Sequence, residues 1–152
     1  HEIDGTVWAI PASHTKLHKE HRVPLSQRAL DILAILPRLN DFVFPGHHIG
    51  QCLGGDAMLE VLRRIDLPLN LGEVTVHGFR STFRDWAAEQ TAFPNEVCEA
   101  ALAHAVKGKT EAAYRRGDLF EKRVRLMEAW AAYCATDSKR QESGVIPIRA
   151  TP

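Results

Sequence analysis

Two short boxes in the chain carry the side chains best suited to holding an anion. His77-Gly78-Phe79-Arg80-Ser81-Thr82-Phe83-Arg84 spaces a histidine and two arginines three to four residues apart. At about 100° per residue, His77, Arg80, Ser81 and Arg84 share one helical stripe, and Phe79, Phe83, Trp86, Ala87 and Gln90 share the other. Free N–H groups in the first turn of a helix attract anions. A guanidinium adds a planar fork that matches two phosphate oxygens. A solvated basic face fits the same residues. Downstream, Leu102-Ala103-His104 is expected to end a helix on a histidine, where the helix dipole favours a cation even without a chemical role. Tyr114 follows ten positions later. A phenol with a pKa of about 10 needs cationic neighbours or a base to act as a nucleophile. Tyr114 has them within reach in sequence: residues 104–125 carry Lys107, Lys109, Arg115, Arg116, Lys122, Arg123 and Arg125 against Glu111, Asp118 and Glu121. Residues 85–103 carry Asp85, Glu89, Glu96 and Glu99 and no Lys or Arg.

The elements that must position these groups can be read from turn and capping signals. Asp4-Gly5 predicts a hairpin turn after a strand ending near Ile3. Thr6-Val7-Trp8-Ala9-Ile10 is β-prone and stops at Pro11, and Arg22-Val23-Pro24-Leu25 reads as a returning strand, with Pro24 at an edge or an end. Ala12 to Glu20 is then a basic hairpin tip holding His14, Lys16, His18 and Lys19. Ser26 predicts the cap of a helix whose apolar stripe, Leu30, Ile32, Leu33 and Leu36, ends before Pro37. A Gly-rich loop over 40–55 precedes a second helix through Met58, Leu59, Leu62 and Ile65. A third helix is expected from about Val76 to Gln90, and a fourth from Pro94 to about His104. A short helix capped by Thr110 would carry Tyr114 and end at Gly117. The last helix is expected from about Leu119 to Ala135, with Phe120, Val124, Met127, Ala131 and Cys134 facing the core. The fold class is therefore mainly α with a small antiparallel β-sheet near the N-terminus.

The 152 residues are 45% hydrophobic and 25% charged, ordinary values for one soluble domain that can bury its core without disulfides. Cys52, Cys98 and Cys134 are odd in number and widely spaced, which argues against a disulfide framework. No apolar run approaches the roughly 20 residues that span a bilayer. The 19 basic and 19 acidic side chains cancel, so any nucleic-acid contact must come from local charge. The opening His-Glu-Ile-Asp, without Met, reads as a piece of a longer protein.

The combination of boxes resembles the C-terminal catalytic domain of the tyrosine recombinases, the phage-type integrase family. That family has an H-x-x-R box on a helix, then Leu-Ala/Gly-His, then a nucleophilic tyrosine about ten residues on. Here these are His77-Gly78-Phe79-Arg80, Leu102-Ala103-His104 and Tyr114. The run His-Gly-Phe-Arg-Ser-Thr-Phe-Arg-Asp-Trp-Ala is similar to the prophage integrases in particular. The family's hairpin lysine matches Lys16, which stands ahead of His21-Arg22-Val23-Pro24-Leu25-Ser26. The resemblance covers residues 1–135 and leaves 136–152 as an expected flexible tail. It implies catalytic roles for Tyr114, Arg80, His77, His104 and Lys16, with no metal and no nucleotide cofactor. It implies double-stranded DNA attachment sites as substrate, other integrase protomers in a synaptic tetramer, accessory DNA-bending proteins as further partners, no membrane, and a cytoplasmic location. The family's first catalytic arginine precedes the sheet and is not in this chain, so residues 1–152 alone are expected to be inactive. A DNA-binding remnant without catalysis is the alternative within the family, but it should have lost Tyr114 or Arg80, and both are present. A metal hydrolase using His14, His18 and His21 with His47-His48 is the alternative outside it; the spacing suits zinc on a helix, whereas Pro11 and the β-prone flanks favour a loop.

Overall fold

Asp4-Gly5 turns the chain back on itself, as its residues require. In the computed structural model, which describes residues 2–48, 50–65, 74–105 and 117–140, β1 (Ile3–Asp4) pairs antiparallel with β2 (Val7–Ile10). Ile3 lies opposite Trp8 and Asp4 opposite Val7. Gly5 has φ 54°, a left-handed turn conformation that glycine takes without steric cost. β3 (His21–Pro24) pairs antiparallel with β2, Val23 opposite Trp8. The sheet order β1-β2-β3 makes β3 an edge strand, with Pro24 at its end, where a missing N–H is tolerated. Between β2 and β3, Ala12–His14 forms a 3-10 turn. The Thr15 hydroxyl then accepts from the Lys19 N–H at 3.1 Å and donates to the Lys19 carbonyl at 2.8 Å. Lys16 is exposed within that closed loop.

Ser26 caps α1 (Gln27–Ile35), its Oγ accepting from the Ala29 N–H at 3.4 Å. A second acceptor arrives from far away in sequence: the Glu128 carboxylate takes the Gln27 N–H at 3.0 Å. Both oxygens meet the positive end of the helix. The apolar stripe expected on α1 is only partly covered, since Leu30, Leu33 and Leu36 are half-buried while Ile32 is 40% exposed. The following loop is closed by a bridge between Pro45 and Cys52, with the Gly46 N–H on the Gln51 carbonyl at 2.8 Å. α2 (Ala57–Arg64) leaves Met58 and Val61 exposed.

The core lies further on, among α3 (Gly78–Glu89), α4 (Asn95–Ala101) and α5 (Phe120–Arg140). Phe83, Trp86 and Ala87 of α3 pack with Val97, Cys98 and Leu102 around α4 and with Leu126 of α5. An aromatic cluster ties the first and last of these helices: Trp86 lies 5.0 Å from Trp130 and 5.5 Å from Tyr133, and Trp130 stacks on Tyr133. β3 packs against α5, which brings the sheet to the same core.

Three expectations need correction. Met127 packs on the core as expected, but the fully buried residues of α5 are Arg123 and Leu126, with Trp130 and Tyr133 packed beside them, whereas Cys134 is exposed; two adjacent apolar stripes run along this helix, and the more deeply buried one carries the arginine. Phe79 is 55% exposed, because it lies in the first turn of α3, away from α4 and α5. α5 continues to Arg140, five residues into the expected tail. The rest of that tail, from 141, lies outside the described residues.

Candidate functional site

The end of α4 organises the site. Its last residue is Ala101, so His104 stands three residues beyond the helix and not at its terminus as the sequence suggested. The Ala103 N–H bonds the Ala100 carbonyl at 3.1 Å, and the His104 N–H reaches back to the Glu99 carbonyl at 3.0 Å. Ala103 has φ 52°. This is a Schellman turn, which normally places glycine at the left-handed position. An L-residue there costs roughly 1–2 kcal/mol, and Ala103 is exposed, so its methyl group contributes little packing. Ala103→Gly should therefore stabilise the chain, offset in part by the greater freedom of glycine when unfolded. A rise in melting temperature of roughly 2–4 °C is the expected result, and a fall would show that the methyl group matters to packing.

The turn leaves the Leu102 carbonyl free of the helix ladder, and Arg80 Nη2 of α3 donates to it. The guanidinium of Arg80 is thus fixed two residues from His104. A neutral carbonyl orients Arg80 without cancelling its charge, and among the described residues Arg80 makes no ion pair. Arg84, one turn further on the same stripe, differs. Its Nε lies 2.8 Å from Glu99 Oε1, and its Nη2 donates to Asn95 Oδ1. Glu99 Oε2 meets His104 Nδ1 at 2.7 Å. The hydrogen bond with His104 and then that from Arg84 hold the Glu99 carboxyl below its usual range, against the opposing effect of burial. With Nδ1 committed to Glu99, the His104 ring turns Nε2 outward.

His77 occupies the N-cap position of α3, not its first turn, and the Arg80 N–H bonds its carbonyl at 3.0 Å. It is exposed and lines a cleft of about 410 Å³ with Asp56, Leu59 and Arg63 of the α2 region and with Thr75. Gly78 enters the helix against Thr75, whose Oγ1 accepts the Gly78 N–H at 3.0 Å. Arg80 and the His104 turn are therefore joined directly, while His77 opens toward α2 and Lys16 stands on the hairpin. Tyr114 and its expected short helix lie outside the described residues.

Sequence reasoning missed Glu99 as the partner of both His104 and Arg84, and it named His21 only as a metal ligand in the hydrolase alternative. The His21 ring on β3 lies near the Ala101 carbonyl and the charges of Arg123, Asp118 and Arg80. Burial first, then Arg123, pushes its pKa down, against the opposing pull of Asp118 and Ala101. The fold thus favours neutral His21. As pH falls below about 6.5 the unfolded chain takes up this proton first. Its contribution to stability is complete above that pH and is lost as pH falls toward the lowered folded value. Between pH 7.5 and 5.5 the melting temperature should drop more in the native chain than in His21→Gln. Glu99 and Asp118, both with lowered pKa, contribute only in a more acidic window. An equal drop in both proteins would rule out His21 as the cause.

The histidine-rich hairpin does not gather a ligand set: His14 Nδ1 lies 3.1 Å from Glu2 Oε1. Among the described residues no three His, Cys, Asp or Glu side chains are grouped closely enough to hold a metal ion.

A helix carrying an uncompensated arginine, docked on a turn that presents a histidine, suits the binding of an anionic group. The chain is 35% identical over 134 residues to prophage integrase IntA of Escherichia coli, covering 86% of this chain and 32% of that protein. It is 27% identical over 149 residues to the integrase of Enterobacteria phage P4, covering 87% of this chain and 34% of the relative. The integrase of Shigella phage Sf6 is 29% identical over 135 residues, or 86% of this chain and 34% of its own. The chain belongs to the phage-type integrase family. It spans about a third of the length of the relatives it matches. No family profile and no solved structure matches it.

Proposed function

We propose that this chain supplies most of the catalytic site of a tyrosine-type site-specific DNA recombinase, in a tyrosine-recombinase-like catalytic domain. The observation that carries the reading is the Arg80 guanidinium, held on the Leu102 carbonyl beside His104 with its charge uncancelled among the described residues. In the reaction the Tyr114 phenolic oxygen attacks the scissile phosphorus in line. The new bond joins that oxygen to phosphorus, the bond from phosphorus to the 5′-oxygen breaks, and a 3′-phosphotyrosine remains. Lys16 gives a proton to the departing 5′-oxygen, and His77 assists removal of the tyrosine proton or holds the phosphate. Arg80 neutralises the equatorial oxygens of the transition state. His104, with Glu99 on Nδ1, donates a hydrogen bond from its ring to a nonbridging oxygen. A 5′-hydroxyl of a second strand then attacks the phosphotyrosine and releases Tyr114. The protein–DNA ester conserves the bond energy, so the chemistry requires no nucleotide. Duplex attachment sites and further protomers are the partners this chemistry needs.

The test is a nicked duplex carrying the attachment sequence, read from the junctions of the integrated element. The full-length protein carrying these residues should form a denaturant-resistant adduct with it, in which the mapped residue is Tyr114. The absence of any adduct, with the DNA bound, would favour the non-catalytic remnant.

A further inference from the structure

We propose that Glu99 is a positioning residue for His104, and that Arg84 lets a carboxylate serve there beside an anion; the inference rests on the phosphate contact given to His104 above. A histidine side chain has two torsions, so its ring is placed once the backbone and one ring nitrogen are both held. Glu99 holds both. Ala103, at φ 52°, turns the chain back so that His104 meets the last helical turn. There the Glu99 carbonyl accepts the His104 N–H at 3.0 Å, and Glu99 Oε2 meets His104 Nδ1 at 2.7 Å. Nε2 is then the ring nitrogen left for a ligand.

A carboxylate is a costly neighbour for a phosphate, because like charges repel and water screens them poorly where it is partly excluded. Arg84 offsets that cost. Its Nε lies 2.8 Å from Glu99 Oε1, and its Nη2 donates to Asn95 Oδ1 at the start of α4. The Arg84 and Glu99 side chains are only 30% and 26% exposed, so the pair is part of the packed structure and not a loose surface contact. One Glu99 oxygen thus serves the histidine, and the other carries a guanidinium that cancels its charge.

The two arginines of one helical stripe therefore have different tasks. Arg80 rests on the neutral Leu102 carbonyl, just past the end of α4, and keeps its charge for the anion. Arg84 reaches both Asn95 at the start of α4 and Glu99 near its end, and gives its charge to the carboxylate that aims His104.

A double-mutant cycle in the full-length protein tests the proposal, with the nicked attachment duplex as probe. Three quantities are measured: the rate of adduct formation at a temperature where every variant is folded, the affinity for the duplex, and the melting temperature. Glu99→Ala should slow adduct formation about tenfold, as expected for a misaimed group, and His104→Ala about a hundredfold. In the His104→Ala background, Glu99→Ala should change the rate by less than about twofold, because a residue that acts through another has no effect once that other is gone. Affinity should stay within about twofold in Glu99→Ala. Glu99→Gln keeps the volume and one acceptor oxygen for Nδ1, so it should lose less than Glu99→Ala, about threefold. An unchanged rate in Glu99→Ala, or losses that simply multiply in the double variant, overturns the proposal. So does a loss in Glu99→Gln as large as that in Glu99→Ala, which would trace the effect to charge and not to the aim of the ring. An unchanged rate in His104→Ala refutes the role of His104 instead, and no adduct from the native protein refutes the reading of the whole site; either leaves the bond between Glu99 and His104 a purely structural one.

Discussion

Tyr114→Phe is expected to abolish covalent attachment to DNA while leaving DNA binding nearly intact. The substitution removes one oxygen, the attacking atom, and hardly changes volume, and it leaves the charge of the neighbouring stretch untouched. Adduct yield on the nicked duplex should fall to background, and affinity for the same duplex should change by less than about twofold, as expected when a group that acts only in the reaction is lost. Tyr133 is the control. Its ring stacks on Trp130, with centroids 5.5 Å apart, and packs on Trp86 in the core. Tyr133→Phe keeps that ring and should still form the adduct. An adduct from Tyr114→Phe, or its loss in Tyr133→Phe, would overturn the mechanism.

Arg80→Ala is expected to lower the rate of adduct formation by roughly two to three orders of magnitude, the usual cost of removing a donor aimed at developing negative charge. Arg80→Lys should fall between, since it keeps the charge but loses the planar fork. The informative comparison is Arg84→Gln. Arg84 is committed to Glu99 and Asn95, so its replacement should act mainly on stability and slow the reaction by less than about tenfold. Equal losses from both variants would mean that the stripe acts as a diffuse basic face and that Arg80 has no special place in it.

The hairpin was legible because its signals are local: a turn dipeptide, a β-prone run and a proline that stops it. α3 was legible in its alternation of faces, although its first apolar residue, Phe79, faces outward. The end of α4 was hidden for a physical reason. A Schellman turn announces itself by glycine, and here Ala103 takes the left-handed position, so the helix reads on to His104. The partners of the site were least legible. Glu99 serves His104 and Arg84 at once, and Arg22 meets Asp118 across 96 positions; no periodicity encodes such pairs. On α5 the sequence offers two neighbouring apolar stripes, and the packed one contains Arg123, whose charge disguises it as a surface position.

The pairing of Arg22 with Asp118 also sets an order of events during folding. Closing a loop of 96 residues carries an entropic cost that grows as the logarithm of its length, and nothing rewards it until both ends exist. The hairpin can form as soon as it is synthesised, since its pairings are short in range. Its edge strand meets α5 only after the chain has been made through Arg123. Arg123 finds the Asp118 carbonyl and carboxylate within its own stretch of chain, but gains the Arg22 carbonyl only in the joined state. Joining of the sheet to the last helix is thus a late step, and a nascent chain halted before α5 holds His77, Arg80 and His104 without the contacts that tie β3 to Asp118 and Arg123.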